Sequence, residues 1–181
     1  MKKLQLSALV IVLVVAAFSA VFTSCGAAGA NDVFVVGNGG EPQSLDPAKI
    51  QGVPETRIYF SLFEGLTVYD PQTCKALPGI AESWTLSDDG LTYTFKLRDA
   101  KWSDGTAITA QHVVDSWIRT LDPATASEYA YMMTMVVKGA EAFNGGKGAK
   151  EDVGITAVDD KTFTMTMVGP TPYALDMLGH Q

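Results

Sequence analysis

The sequence predicts a fold of the α/β class, with helices packed against a sheet of mixed or antiparallel strands. Two pairs of segments alternate between apolar and polar residues, and each pair is joined by a turn that contains adjacent aspartates, at 87–90 and at 159–160. Between these pairs, residues 110–121 carry apolar side chains at the spacing of a helix. The chain has 181 residues, which is enough for one ordinary domain core.

The N-terminus has the pattern of an export signal. Two lysines follow Met1, an uncharged apolar run extends over 4–22, and Thr-Ser-Cys ends at Cys25. Such a segment is typically removed on export, and the ending resembles that of bacterial lipoproteins. We therefore expect residues 1–24 to be a lipoprotein signal peptide, Cys25 to be lipidated and residues 25–32 to be a tether. The alternative is an uncleaved transmembrane anchor, because about 20 apolar residues span a bilayer.

A glycine-rich stretch separates a predicted strand from a predicted helix. The β-branched run at 33–36 favours a strand, and three glycines within 37–40 then let the backbone turn sharply. Pro54 and Glu55 are typical of a helix start, because proline fits its first position and an acid its first turn. Gly65 is expected to end this helix.

The rest of the chain alternates between predicted strands and helices. Tyr93, Phe95 and Leu97 share one strand face, which predicts a sheet with one buried side. Trp102 lies in a polar loop and is expected to fill the core beneath it. Thr109 is expected to cap the helix that follows it. Strands are predicted at 66–69, 82–86, 91–97, 155–158 and 162–167, and helices at 110–121, at 131–143 and after Pro172.

The charge of the chain argues against nucleic acid as a partner. The formal net charge is −7, and the first 24 residues contribute only two lysines, so the remainder carries −9. Binding to phosphates needs clustered lysine and arginine. A zwitterionic ligand such as a peptide remains compatible with this balance.

No catalytic or metal-binding arrangement is predicted. The two histidines are His112, on a predicted solvated helix face, and His180, close to the last residue. No serine lies on a nucleophile-elbow motif, and the spacing of cysteine, histidine and carboxylates does not fit a metal site. The glycines at 37–40 lack the Lys-Ser/Thr ending of a phosphate loop. The sequence therefore predicts a binding protein without a cofactor.

Several motifs follow one another in a specific order after residue 33. They are Glu41-Pro-Gln-Ser-Leu-Asp-Pro47, Gly52-Val-Pro-Glu55, Leu62-Phe-Glu-Gly-Leu66, Ala81-Glu-Ser-Trp84, Lys101-Trp-Ser-Asp-Gly-Thr106, Asp122-Pro-Ala-Thr-Ala-Ser-Glu-Tyr-Ala130 and Pro170-Thr-Pro-Tyr173. In this order they closely resemble the oligopeptide-binding proteins of bacterial ABC importers, within family 5 of the extracellular solute-binding proteins.

The resemblance implies part of a periplasmic substrate-binding protein fold (type II, cluster C). Members of the family have three lobes, of which lobe I is built from separated chain segments. The match implies that 33–63 is the first segment of lobe I and that 64–181 is a nearly complete lobe II. The rest of lobe I and all of lobe III have no counterpart here, so an N-terminal fragment or a truncated reading frame is expected.

The resemblance also implies a function and a site. Family members capture oligopeptides outside the cytoplasmic membrane, largely through main-chain hydrogen bonds, and deliver them to permease subunits. By motif position, Gln51, Gly52 and Val53 would line the lobe I side of the cleft, and Tyr129 would reach the ligand from lobe II or pack within its lobe. Family members often have an acid where this chain has Gln51, so no preference for basic side chains is implied.

The expected protein is thus a monomeric, lipid-anchored component of the periplasm or cell envelope. Its expected partners are a peptide ligand, the permease subunits of an ABC importer and, through Cys25, a membrane. Two alternatives remain at this point. One is a secreted hydrolase on a related scaffold, and the other is a binding protein for dipeptides, nickel complexes or haem.

Overall fold

A computed structural model describes residues 34–179. The predicted signal peptide, Cys25, the tether, Val33 and His180 lie outside this range. Residues from Asn38 onwards form one compact unit, and 34–37 belong to a separate one. The helices are α1 (Val53–Leu62), α2 (Ala110–Leu121), α3 (Ala130–Thr134), α4 (Ala140–Asn144) and α5 (Ala174–Met177). The strands are β1 (Thr67–Tyr69), β2 (Ala76–Pro78), β3 (Ala81–Leu86), β4 (Thr92–Leu97), β5 (Ile155–Asp159) and β6 (Thr162–Thr166).

The main sheet has four antiparallel strands in the order β3-β4-β6-β5, and β1 pairs with β2 separately. Both predicted hairpins are confirmed. The β3–β4 turn spans 87–90, where Gly90 adopts a φ of +72°. Aspartates stabilise both turns from within, because Asp89 accepts the Leu91 N–H at 3.0 Å and Asp159 accepts the Lys161 N–H at 2.8 Å.

The core lies on one face of this sheet, as the alternation of β4 predicted. Tyr93, Phe95 and Leu97 are all buried, and Phe95 lies opposite Phe163 of β6. Helix α2 covers this face, with the Trp117 ring packed edge-on against Phe163 at 5.2 Å between centroids. The helix has the predicted bounds and the predicted Thr109 cap. No helix within residues 34–179 combines the length and the apolar character that a membrane span requires.

Two predicted elements are wrong. Residues 34–36 are extended but form no strand, because no strand of the described chain pairs with them, and Phe34 is 89% exposed. The helix predicted over 131–143 is two short helices, α3 and α4. Between them Lys138 donates to the Thr166 carbonyl at 3.0 Å and accepts from Gly154 N–H at 2.7 Å. The sheet thus takes the backbone groups that a continuous helix would have used.

Three local expectations also need correction. Helix α1 ends at Leu62, with extended backbone at Phe63, so the chain leaves the helix before Gly65. Strand β2 was not expected from the sequence. Trp102 does not plug the core, since 42% of its surface is exposed. Its indole nitrogen donates instead to Nδ1 of His112 at 3.2 Å, so a surface hydrogen bond satisfies it.

Candidate functional site

The predicted site segment, Gln51-Gly52-Val53, forms the entry to α1. Gly52 is extended, with φ −110° and ψ 169°, and its carbonyl closes the first helical turn. That carbonyl accepts hydrogen bonds from both the backbone N–H of Thr56 at 3.0 Å and the Thr56 hydroxyl at 2.9 Å. The backbone therefore changes from extended to helical geometry between Gly52 and Val53.

Two backbone donors of this segment have no hydrogen-bond partner in the part of the chain that the structure describes. The N–H groups of Gln51 and Val53 make no hydrogen bond within residues 34–179. Val53 is the first residue of α1, where an N–H group has no partner inside the helix. Both residues are exposed, Val53 to 63%. An extended ligand could therefore receive hydrogen bonds from these two groups.

Tyr129 lies beside this segment. Its hydroxyl donates to the Gln51 carbonyl at 3.3 Å, and its ring stacks on Tyr131 with centroids 6.0 Å apart. The side chain is half-buried and immediately precedes α3. The structure thus brings together all four predicted residues, Gln51 to Val53 and Tyr129.

Glu55 is a member of this site that sequence reasoning did not single out. It is the only charged residue buried within the described part of the chain, with 5% of its surface exposed. Its Oε1 accepts the backbone N–H of Gln43 at 2.6 Å. That hydrogen bond, together with N–H groups of Glu55 itself and Gly52, lowers the pKa of the carboxyl. The sequence signalled only an acid in the first turn of a helix.

A second carboxylate joins the loop before α1 to α2. The two terminal nitrogens of Arg119 donate to the two carboxylate oxygens of Asp46, at 2.7 and 2.6 Å, and form a bidentate ion pair. Hydrogen bonding from Arg119 lowers the pKa of Asp46, and the same bond raises that of Arg119. The pair holds the loop against the helix that covers the sheet.

The site borders two cavities of different character. A polar pocket of about 250 Å³ is lined by Gln43, Lys49, Gln51, Gly52 and Glu55. A larger groove of about 710 Å³ is mostly apolar. Of the four predicted site residues, Tyr129 alone lines this groove. The polar pocket is the better candidate for ligand recognition, because Gln51 and Gly52 line it.

The structure gives no support to catalytic use of His112. Its Nδ1 accepts hydrogen bonds from the indole of Trp102 and from the backbone N–H of Thr109 at 3.3 Å. The half-buried imidazole thus completes the cap of α2 instead of facing solvent as expected. No group of three or more histidine, cysteine, aspartate or glutamate residues within 34–179 is placed to hold a metal ion.

Sequence comparison places the chain among known proteins. The sequence profile of the bacterial extracellular solute-binding proteins, family 5 (middle), matches residues 75–181. This chain belongs to that family. The periplasmic oligopeptide-binding protein OppA of Escherichia coli is 50% identical over 145 residues, which cover 79% of this chain and 26% of that protein.

Solved structures of family members share the fold. Haemophilus influenzae OppA in complex with the peptide RPPGFSPFR superposes with a TM-score of 0.75 at 43% identity, over 79% of this chain and 28% of that one. A periplasmic oligopeptide-binding protein from Borrelia burgdorferi gives 0.74 at 43% identity, over 77% and 28%. The fold is therefore that of the matching part of a periplasmic binding protein. The chain spans about a quarter of the length of the curated relatives it matches.

Proposed function

We propose that this chain forms one wall of a peptide-binding site in the substrate-binding protein of an ABC importer. The protein captures oligopeptides outside the cytoplasmic membrane and delivers them to the permease subunits. In this proposal residues 33–63 begin lobe I and 64–181 form most of lobe II. A second wall would close over the ligand by hinge motion between lobes.

One observation carries the proposal. The backbone N–H groups of Gln51 and Val53, at the entry to α1, have no hydrogen-bond partner within residues 34–179, and both residues are exposed. An extended peptide can pair with such groups whatever its side chains are, which allows broad specificity. The OppA relatives are named for oligopeptide binding, and one of them was solved with a nonapeptide.

The cellular position belongs to the same proposal. Curated relatives are periplasmic proteins. We place this protein in the periplasm or cell envelope as a monomer, held at the membrane by lipid on Cys25 after removal of residues 1–24. Mass spectrometry of the membrane fraction should then show a diacylglyceryl Cys25 at the N-terminus. An intact Met1 on the mature protein would contradict the lipid anchor.

The peptide site is tested in a chimaera that supplies the second wall. Residues 34–179 replace the matching segment of Haemophilus influenzae OppA, and RPPGFSPFR is titrated calorimetrically. We expect binding of about micromolar strength, roughly −8 kcal/mol. A chimaera that unfolds cooperatively but binds no peptide would contradict the proposal.

A single backbone donor can be removed from the same chimaera. Val53→Pro deletes the N–H at the first helical position, where proline is well tolerated, and the extended Gly52 is compatible with a following proline. Val53→Ala is the matched control, because it removes the side chain and keeps the N–H. The proline variant should bind about two- to tenfold more weakly than the alanine variant, the effect of one neutral hydrogen bond. Equal affinities would exclude Val53 N–H as a ligand donor.

A further inference from the structure

The buried charge of Glu55 requires a physical explanation. Removing a carboxylate from water is costly unless hydrogen bonds replace its hydration. Here the Gln43 N–H supplies a bond of 2.6 Å, and Oε2 lies against Gly52, where it would overlap a Cβ atom. The carboxylate also lies in the first turn of α1, where the helix dipole favours negative charge. Glu55 therefore carries a hydrogen-bonded carboxylate, which links Gln43 of the preceding loop with the site segment at Gly52.

Gly52 leaves the space that this carboxylate occupies. A Cβ atom built on Gly52 would overlap Oε2 of Glu55 and would lie 3.5 Å from its carboxyl carbon. Backbone conformation does not demand glycine here, because φ is −110°. An alanine at position 52 would therefore have to displace the Glu55 carboxylate from its present position. The two residues form a matched pair, one residue supplying the anion and the other the room for it.

Other contacts fold the preceding loop around the start of α1. The side-chain amide of Asn38 donates to the Pro54 carbonyl at 3.2 Å, and Arg57 donates to the Asn38 carbonyl at 3.2 Å. Glu55 connects the middle of this loop, at Gln43, with its end, at Gly52. The only other titratable residue that lines the polar pocket is Lys49.

We propose that Glu55 is the positioning residue of the peptide site, which acts through the backbone of Gly52 and not on the ligand. By holding Gly52 extended, it keeps the Gln51 and Val53 N–H groups directed away from the loop and towards an incoming chain. The inference rests on the proposed function for the identity of that ligand. The hydrogen bonds themselves do not depend on a ligand, so they are tested separately.

The first experiment tests whether the Glu55 carboxylate contacts the backbone amides of Gln43 and Gly52. It uses the full chain, labelled with ¹⁵N and solubilised in detergent micelles, and follows amide chemical shifts by NMR. The amide protons of Gln43 and Gly52 should shift together on acidification, with one midpoint below about 4.3, the ordinary value for glutamate. Glu55→Gln should abolish this shared transition. Gly52→Ala should abolish it as well, because the methyl group displaces the carboxylate. Independent or absent transitions in the unsubstituted chain would overturn the proposal.

The second experiment tests whether the anchor acts through the site, in the chimaera with Haemophilus influenzae OppA and RPPGFSPFR. Glu55→Gln and Gly52→Ala should each weaken binding about tenfold, roughly the effect of one or two misplaced hydrogen bonds. Glu41→Gln and Gly40→Ala are the controls, because Glu41 is exposed and a Cβ on Gly40 meets only an ordinary contact at 3.8 Å. Both controls should bind like the parent.

A double-substitution cycle separates positioning from general support of the fold. If Glu55 acts through the site backbone, the two substitutions should not be additive. The loss of binding free energy caused by Val53→Pro should then be less than half as large in the Glu55→Gln chimaera as in the parent chimaera. Strict additivity, or unchanged binding in Glu55→Gln, would overturn the positioning role. If the parent chimaera binds no peptide, the proposed function fails, and the shared amide transition alone then decides whether Glu55 anchors Gly52.

Discussion

Replacement of Gly139 by alanine should be among the more damaging small changes in this chain. Gly139 adopts a φ of +75° between α3 and α4. A Cβ there would lie 2.9 Å from the carbonyl carbon of Asp152, closer still to its oxygen, and 3.3 Å from Cα of Val153. These are backbone atoms, which cannot move aside as the end of a side chain would. Gly139→Ala therefore combines an unfavourable conformation with a steric clash.

The magnitude follows from these two terms. A left-handed conformation costs a residue with a Cβ about 1–2 kcal/mol. Forcing an extra methyl group into packed structure costs about 1–3 kcal/mol more. Gly146 isolates the first term, because its φ is +69° and no atom lies within 4 Å of the place that a Cβ would take. Gly146→Ala should therefore cost about 1–2 kcal/mol, and Gly139→Ala about 2–5 kcal/mol.

Urea denaturation of the two variants and the parent chain, followed by circular dichroism, measures the difference. The free energy of unfolding is extrapolated from each transition, with similar slopes taken as evidence that the unfolded states are comparable. If Gly139→Ala costs no more than Gly146→Ala, the backbone of Asp152 is not a rigid neighbour. Steric contact with Asp152 would then not be the reason for glycine at position 139.

Two further predictions concern the core and the ion pair. In the same urea assay, Phe163→Ala should lower the unfolding free energy by about 3–5 kcal/mol, because Phe163 is fully buried. Phe60→Ala is the control, since Phe60 is 52% exposed, and it should cost below about 1 kcal/mol. Asp46→Asn should cost at most about 1 kcal/mol at pH 7, because the pair with Arg119 is partly exposed. The pKa of Asp46 is lower in the folded state than its ordinary value of about 3.9. The ion pair therefore stabilises the fold fully above about pH 3.9, and this stabilisation is lost as the pH falls through the folded pKa. An equal cost of Asp46→Asn at pH 7 and pH 2 would refute the stabilising role of the ion pair.

The elements that the sequence predicted well are those that local pattern determines. Helix α2 combines a Thr109 cap with an apolar stripe, and both hairpins combine alternating strands with aspartate turns, so neighbours in sequence suffice. The break at Gly139 depends instead on hydrogen bonds between Lys138 and residues at 154 and 166. A helical pattern over 131–143 contains no sign of that distant competition from the sheet.

The candidate site shows the same difference between features that the local sequence predicts and features that depend on distant contacts. The resemblance predicted Gln51, Gly52, Val53 and Tyr129 as site residues, and the structure brings them together. The role of Glu55 could not be read from its position, because an acid in the first turn of a helix is ordinarily a surface residue. In the structure Gln43, twelve residues earlier, donates to its carboxylate, a contact that its place in the sequence does not reveal.

Stability and site geometry therefore depend on different kinds of contact in this chain. The core is apolar and is held by the main sheet and α2, where single truncations are expected to cost about 2–5 kcal/mol. The site segment is held by polar contacts, from Glu55 to Gln43, from Asp46 to Arg119 and from Tyr129 to Gln51. Each such contact contributes about 1 kcal/mol but is directional, so its loss shifts backbone donors more readily than it unfolds the protein. Substitutions in the polar set should consequently change peptide affinity while lowering the unfolding free energy by only about 1 kcal/mol, and substitutions in the core should mainly lower the unfolding free energy.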